Sequence, residues 1–186
     1  MKRSAKIFAF IEKYCRVPEG KLVGQPIKLD KFQKKFIRAV YDGNRHTRRA
    51  ILSIARKNGK TALMAMLILC HLVGSEAKQN SQIVSGAMSR EQAAIVFELA
   101  CKIIRQNETL TKLIRIIPSK KQLIGLPMNV TYQALAAEGK TAQGLSPVFA
   151  LIDEGGQVVG GNSDFINAIE ISGRDGCRVD TVVKFS

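Results

Sequence analysis

ARKNGKT, residues 55–61, directly follows a short apolar run, AILSI (residues 50–54), and its last three residues are those that close a phosphate-binding loop. The full pattern of such a loop is G-x-x-x-x-G-K-[ST], and counting back from Gly59 places Ile54 where the first glycine belongs. A strand that turns abruptly into a helix leaves several backbone N–H groups without intrahelical acceptors, at the positive end of the helix dipole. There Gly59 lets the backbone approach a phosphate, Lys60 brings a charge to its oxygens, and Thr61 offers a hydroxyl to a divalent metal. The tripeptide alone is a weak signal that also fits a basic turn with no ligand. A strand before it and a buried helix after it are the context it requires.

Both are present in the pattern. AILSI reads as a strand, and Gly59 to Val73 as a helix apolar on nearly every side, closed by Gly74, as expected of a helix at the centre of a fold. SQIVSGA (81–87) reads as a second strand, and Ser89 caps a helix to about Arg105. Shorter apolar pieces follow at 114–117, 122–124 and 130–135, and then PVFALIDE (147–154), an apolar strand ending in two carboxylates. Alternating strands and helices with continuously apolar strands predict a mostly parallel sheet covered on both faces, an α/β nucleotide-binding architecture. Ahead of it, Ile7, Phe10, Ile11, Tyr14 and Cys15 have helical spacing, and residues 18–26 read as a loop. Asp30 caps a helix through about Val40, with Phe32, Phe36 and Val40 on one face. The stretch from about Ser172 is polar and Gly-rich and matches nothing earlier.

PVFALIDE completes the chemistry that ARKNGKT begins. A phosphate loop works with a metal, and a metal needs a carboxylate at the end of a neighbouring strand; Asp153 fits that place. Glu154 beside it can orient and activate a water for attack on a γ-phosphate. In the basic helix DKFQKKFI (30–37), the amide of Gln33 can hydrogen-bond both edges of an adenine, with the neighbouring Phe32 ring over its face.

Composition narrows the partners. The 186 residues carry a net charge of +14, and eleven Lys and Arg against two Asp between Lys28 and Lys60 place +9 of it there. Such a charge favours a polyanion, and the scarcity of aromatics near it favours duplex phosphates over stacked single strands. Cys15, Cys70, Cys101 and Cys177 form no C-x-x-C pair, and with only His46 and His71 they support neither a zinc site nor a disulfide framework. No signal peptide and no apolar stretch of about 20 residues is seen, so no membrane partner is expected.

Together these stretches resemble the ATPase domain of the large subunit of tailed-bacteriophage terminases, the motors that package viral DNA. DKFQKKFI, ARKNGKT, SGAMSREQAAIVFELA (85–100) and KTAQGLSPVFALIDEGGQV (140–158) carry the resemblance, which covers most of residues 1 to about 170. It implies a P-loop NTPase preceded by a short helical N-terminal segment. Gln33 would recognise adenine, while Arg56, Lys57, Asn58, Gly59, Lys60 and Thr61 would bind the nucleotide. Thr61 and Asp153 would hold Mg²⁺, Glu154 would be the catalytic base, and Arg56 would stabilise the γ-phosphate from the front half of the loop, which accounts for Ile54 in place of glycine. It further implies double-stranded DNA, portal protein, the small terminase subunit and a ring of copies as partners, in the cytoplasm of a bacterial host. The stretch SREQA (89–93) is read as structural. The family continues past the acidic strand into a hydroxyl-rich coupling motif and a nuclease domain. SGRDGCRVDTVVKFS (172–186) shows no such motif, so residues 1–186 are read as a single, incomplete P-loop ATPase domain without its nuclease, and 172–186 as a non-native or truncated tail. The alternatives are a silent terminase fragment that only binds nucleotide or DNA, and another P-loop nucleic-acid translocase.

Overall fold

The computed structural model describes residues 1–43, 47, 49–55, 58–87, 89–136, 147–152 and 181–185. Two helices, α1 (Arg3–Tyr14) and α2 (Lys31–Tyr41), precede strand β1 (Arg49–Leu52) and helix α3 (Lys60–Val73). Then come β2 (Gln82–Ala87), α4 (Arg90–Arg105), α5 (Glu108–Leu113), β3 (Ile114–Ile117), β4 (Gln122–Gly125), β5 (Val130–Ala136), β6 (Pro147–Ile152) and β7 (Thr181–Phe185). The seven strands form one sheet in the order β1-β7-β6-β2-β5-β4-β3. β1, β7, β6, β2 and β5 run parallel, and β4 and β3 add antiparallel pairs at one edge. The sheet is therefore mixed but mostly parallel.

The parallel strands are apolar runs because they are covered on both sides. Val84, Ser85, Phe149, Ala150, Leu151 and Ile152 are all buried, so successive residues of β2 and β6 face core in both directions. α3 follows the same logic: every residue from Leu63 to Leu72 is buried, so an amphipathic stripe would have left polar groups without water. α3 and α4 lie side by side against β2 and β5, and α1 packs on both α2 and α3.

Local signals set the helix starts. The Ser89 hydroxyl accepts the Gln92 N–H at 3.2 Å, and the Asn107 side chain accepts the Leu110 N–H at 3.1 Å. α1 is capped from a distance: Asp42, at the end of α2, accepts the backbone N–H and the hydroxyl of Ser4 at 3.0 and 2.6 Å. Those hydrogen bonds hold its carboxyl below the usual range. Arg3 grips Glu76, just beyond α3, through Nε at 3.2 Å and Nη2 at 2.5 Å. Three helix ends are thus tied together in the order α2, α1, α3.

One expectation is revised. The buried face of α2 is centred on Gln33, Ile37, Val40 and Tyr41, one position round from the Phe32–Phe36–Val40 stripe. Phe32 and Phe36 are half-buried at its margin. Thr181–Phe185, in the stretch that matches no earlier pattern, forms β7, with partners on both sides: Val183 is opposite Ala50 of β1 and Leu151 of β6.

Gly125 shows how tightly the antiparallel edge presses on α3. A Cβ there would lie 2.4 Å from the Leu72 carbonyl oxygen and 3.1 Å from Val73 Cγ1. The first contact is with backbone, which cannot swing aside. Gly125→Ala is expected to destabilise the fold by about 2–3 kcal/mol, read as a lowered urea midpoint with an unchanged m-value.

Candidate functional site

The parallel strands all deliver their C-terminal ends to one crest of the sheet. Register pairs Leu52 of β1 with Phe185 of β7, Lys184 of β7 with Ile152 of β6, and Ile152 with Gly86 of β2. The chain leaving β1 toward α3 and the chain leaving β6 therefore emerge at the same level, one strand apart, roughly 10 Å at ordinary strand spacing. In open α/β sheets this crest is where ligands bind.

At that crest Gly59 is the N-cap of α3 in the left-handed conformation, with φ +72°. A non-glycine residue would be strained there. Lys60 and Thr61, the first residues of the helix, are half-buried, and Asn58 and Gly59 are exposed. The Leu63 N–H already bonds back to the Gly59 carbonyl at 3.0 Å, which leaves the N–H groups before it as outward donors. A helix start, its positive dipole end and a lysine are groups that can hold an anion.

Gln33 comes to the same place from another element. It is buried, at 7% exposure, although glutamine is mostly a surface residue. Its Oε1 accepts the Asp30 N–H at 2.9 Å, closing a capping box at the start of α2. Its Nε2 is 3.7 Å from the position a Cβ on Gly59 would occupy. The structure thus sets a carboxamide against the glycine of the loop. Sequence reasoning singled out Gln33 but missed its capping role, for which Asp30 three residues earlier was the available signal. Arg56, Lys57, Asp153 and Glu154 lie outside the described residues; Ile152, which precedes the acidic pair, ends β6 at the crest.

The three helix and strand supports of this crest share one buried contact that the motifs did not reveal. The Tyr41 hydroxyl of α2 lies 2.8 Å from His71 Nε2 of α3. The His71 ring stacks on Phe149 of β6, with centroids 3.8 Å apart and planes 8° from parallel. Burial pushes the imidazole down to about 3 and the Tyr41 phenol well above its ordinary value, so both are neutral at physiological pH.

A Mg²⁺ ion at this crest would be held mainly by phosphate. Among the described residues no three His, Cys, Asp or Glu side chains cluster as a cage. Mg²⁺ characteristically takes one or two protein ligands plus substrate phosphates and waters, and Thr61 stands half-buried at the helix start. A cavity of about 360 Å³ opens at the opposite end of α3, lined by Phe10, Tyr14, Val73, Leu110 and Leu113 among others, away from the loop. No helix among the described residues is long and apolar enough to cross a membrane.

Residues 30–163 match the family model for the terminase large subunit, ATPase domain. The large terminase subunit of Enterobacteria phage HK97 is 63% identical over 169 residues, covering 91% of this chain. The chain belongs to the terminase large-subunit ATPase family. The crystal structure of the HK97 large terminase superposes on all of it with a TM-score of 0.91 at 56% identity. The ATPase domain of a Thermus phage large terminase also covers 100% of the chain, with a TM-score of 0.65 at 17% identity, a likeness of fold. This terminase chain spans about a third of the length of its HK97 relative: 34% in sequence and 38% in structure. The P-loop α/β architecture is shared throughout.

Proposed function

We propose that this terminase ATPase-domain chain binds and hydrolyses Mg-ATP, and that hydrolysis drives duplex DNA into a procapsid. The carrying observation is the Gln33 carboxamide against Gly59 at the start of α3, which sets a purine-reading group beside a phosphate-binding one. The free lone pair of Oε1 and the Nε2–H of Gln33 match the N6 donor and N7 acceptor of adenine. Asn58, Gly59, Lys60 and Thr61 would hold the phosphates, with Arg56 and Lys57 reaching from the front of the loop. Asp153 and Thr61 would ligate Mg²⁺, and Glu154 would take the proton of the attacking water. The metal would neutralise phosphate charge. Duplex DNA, portal protein, small subunit and further copies in a ring are the partners this reading implies, at the procapsid in the host cytoplasm.

Phosphate release from Mg-ATP by the full chain, with and without duplex DNA, tests the reading in parallel with Gln33→Glu. Glutamate keeps an oxygen for the Asp30 N–H but removes the amide donor. The variant is expected to keep α2 folded while ATP affinity falls about tenfold and discrimination against GTP is lost. Nucleotide binding without release by the unaltered chain would mark a silent domain instead, and no binding at all would contradict the proposal.

A further inference from the structure

We propose that the outer face of the α1–α2 pair is a docking surface for the phosphate backbone of duplex DNA. It takes only the class of partner from the packaging reading. Residues 1–42 hold eleven Lys and Arg against four acids, and the acids are engaged. Glu12 lies 3.5 Å from Lys34 Nζ, and Glu19 pairs with Lys102 of α4. Asp30 sits in the α2 capping box, and Asp42 accepts from Ser4. Among the described residues, no carboxylate lies within ion-pair distance of Lys6, Lys31, Lys35 or Arg38.

Those cations are arranged. Lys31, Lys35 and Arg38 are exposed and recur at i, i+4 and i+7, one stripe along α2. Lys2, just before α1, and Lys6 and Lys13 on it are also exposed. The α2 stripe is about 10 Å long at the helical rise, the span of about three nucleotides of one strand. Ser4 on Asp42 sets the start of α1 beside the end of α2, and Lys34 and Arg38 both reach over Phe8 of α1, at 5.9 and 5.4 Å from its ring centre. The two helices therefore present one surface, with charges held over the seam.

What the face lacks decides the partner. Neither helix exposes a large apolar side chain, so it offers no buried anchor of the kind that carries a protein–protein interface. Phe8 is roofed by Lys34 and Arg38 and gives no open ring for stacking a single-stranded base. A row of cations with neither feature fits a phosphate backbone, whose binding is electrostatic and sequence-independent.

The test is fluorescence anisotropy of a labelled duplex of mixed sequence with the full chain across about 50–200 mM salt. Lys31→Gln/Lys35→Gln/Arg38→Gln is expected to make the salt slope shallower by about two to three and to weaken binding at least about tenfold at the low-salt end. Lys112→Gln/Arg115→Gln/Lys120→Gln removes equal charge from the β3 side and is expected to change little. Stabilisation by Mg-ADP, compared with the unaltered chain, reports separately on the nucleotide site. A chain that binds no duplex at low salt, a slope untouched by the α2 variant, or an equal loss in the β3-side control would overturn the proposal. An untouched slope would point this face toward an acidic protein. If Mg-ADP stabilises neither chain while the α2 variant still flattens the slope, the ATPase reading fails and the DNA surface stands.

Discussion

Lys60→Ala is expected to abolish ATP turnover while the protein stays folded. Lys60 is the first residue of α3, half-buried, at the positive end of the helix. Removing its ammonium leaves the backbone donors of the helix start in place, so weak phosphate binding survives. On the proposed role a charge-assisted hydrogen bond to phosphate would be lost, about 1.5–3 kcal/mol in nucleotide affinity, or roughly ten- to a hundredfold. The effect on the chemical step is larger, about 10²–10³-fold, because charge on the transferred phosphoryl oxygens is stabilised by positioned cations. Alanine is a good helix former, so α3 itself is not weakened. Glu154→Gln is the complementary variant: turnover is lost while Mg-ATP still protects the protein against heating. Unchanged phosphate release in either variant would remove these residues from the site.

The second large effect is a loss of stability in mild acid, centred on His71. Folded, its imidazole is pushed down to about 3 from the ordinary 6.5, first by burial and then by the charges of Arg3 and Lys78. The unfolded chain takes up a proton below about 6.5 that the folded chain refuses, so the stabilisation is complete above that pH and shrinks on acidification. The slope is roughly 1.4 kcal/mol per pH unit below 6.5, or about 2 kcal/mol between pH 7 and pH 5. Asp42, whose carboxyl is lowered from 3.8, loses its contribution only in stronger acid and does not compete in this window. His71→Phe keeps the stack on Phe149 but strands the Tyr41 hydroxyl, at a pH-independent cost of about 1–3 kcal/mol. Tyr41→Phe/His71→Phe removes both polar groups and recovers much of that cost. Urea midpoints at the two pH values should show the acid-induced drop in the unaltered chain and little of it in either variant. Because this contact joins α2, α3 and β6, nucleotide affinity is expected to fall in step with it.

Much of this crest was legible locally. Ser89 and Gly59 mark helix starts by chemistry contained within a few residues, and the apolar run of β6 announced a strand covered on both faces. The Gln33–Gly59 proximity was legible only through the family resemblance, because 26 residues and a strand separate the two positions. β7 was not legible. TVVKF has β-branched residues, but its place between β1 and β6 depends on pairing with strands more than thirty residues away, which no local period encodes. The Tyr41–His71–Phe149 contact escaped for the same reason: each residue alone reads as an ordinary core side chain. The shift of the α2 face from Phe36 to Ile37 is decided by tertiary packing, since Ile37 joins the buried core and Phe36 only borders it.

On the proposed reading, one adenine nucleotide contacts both Gln33 and the start of α3, which lie against each other. Titrating Mg-ADP into the isotopically labelled chain and following its amide resonances tests this most directly. The Gln33 side-chain amide and the backbone amides of Gly59, Lys60, Thr61 and Ala62 are expected to shift most, with saturation at one nucleotide per chain. Saturable shifts confined to another surface, with those five groups unmoved, would contradict the account.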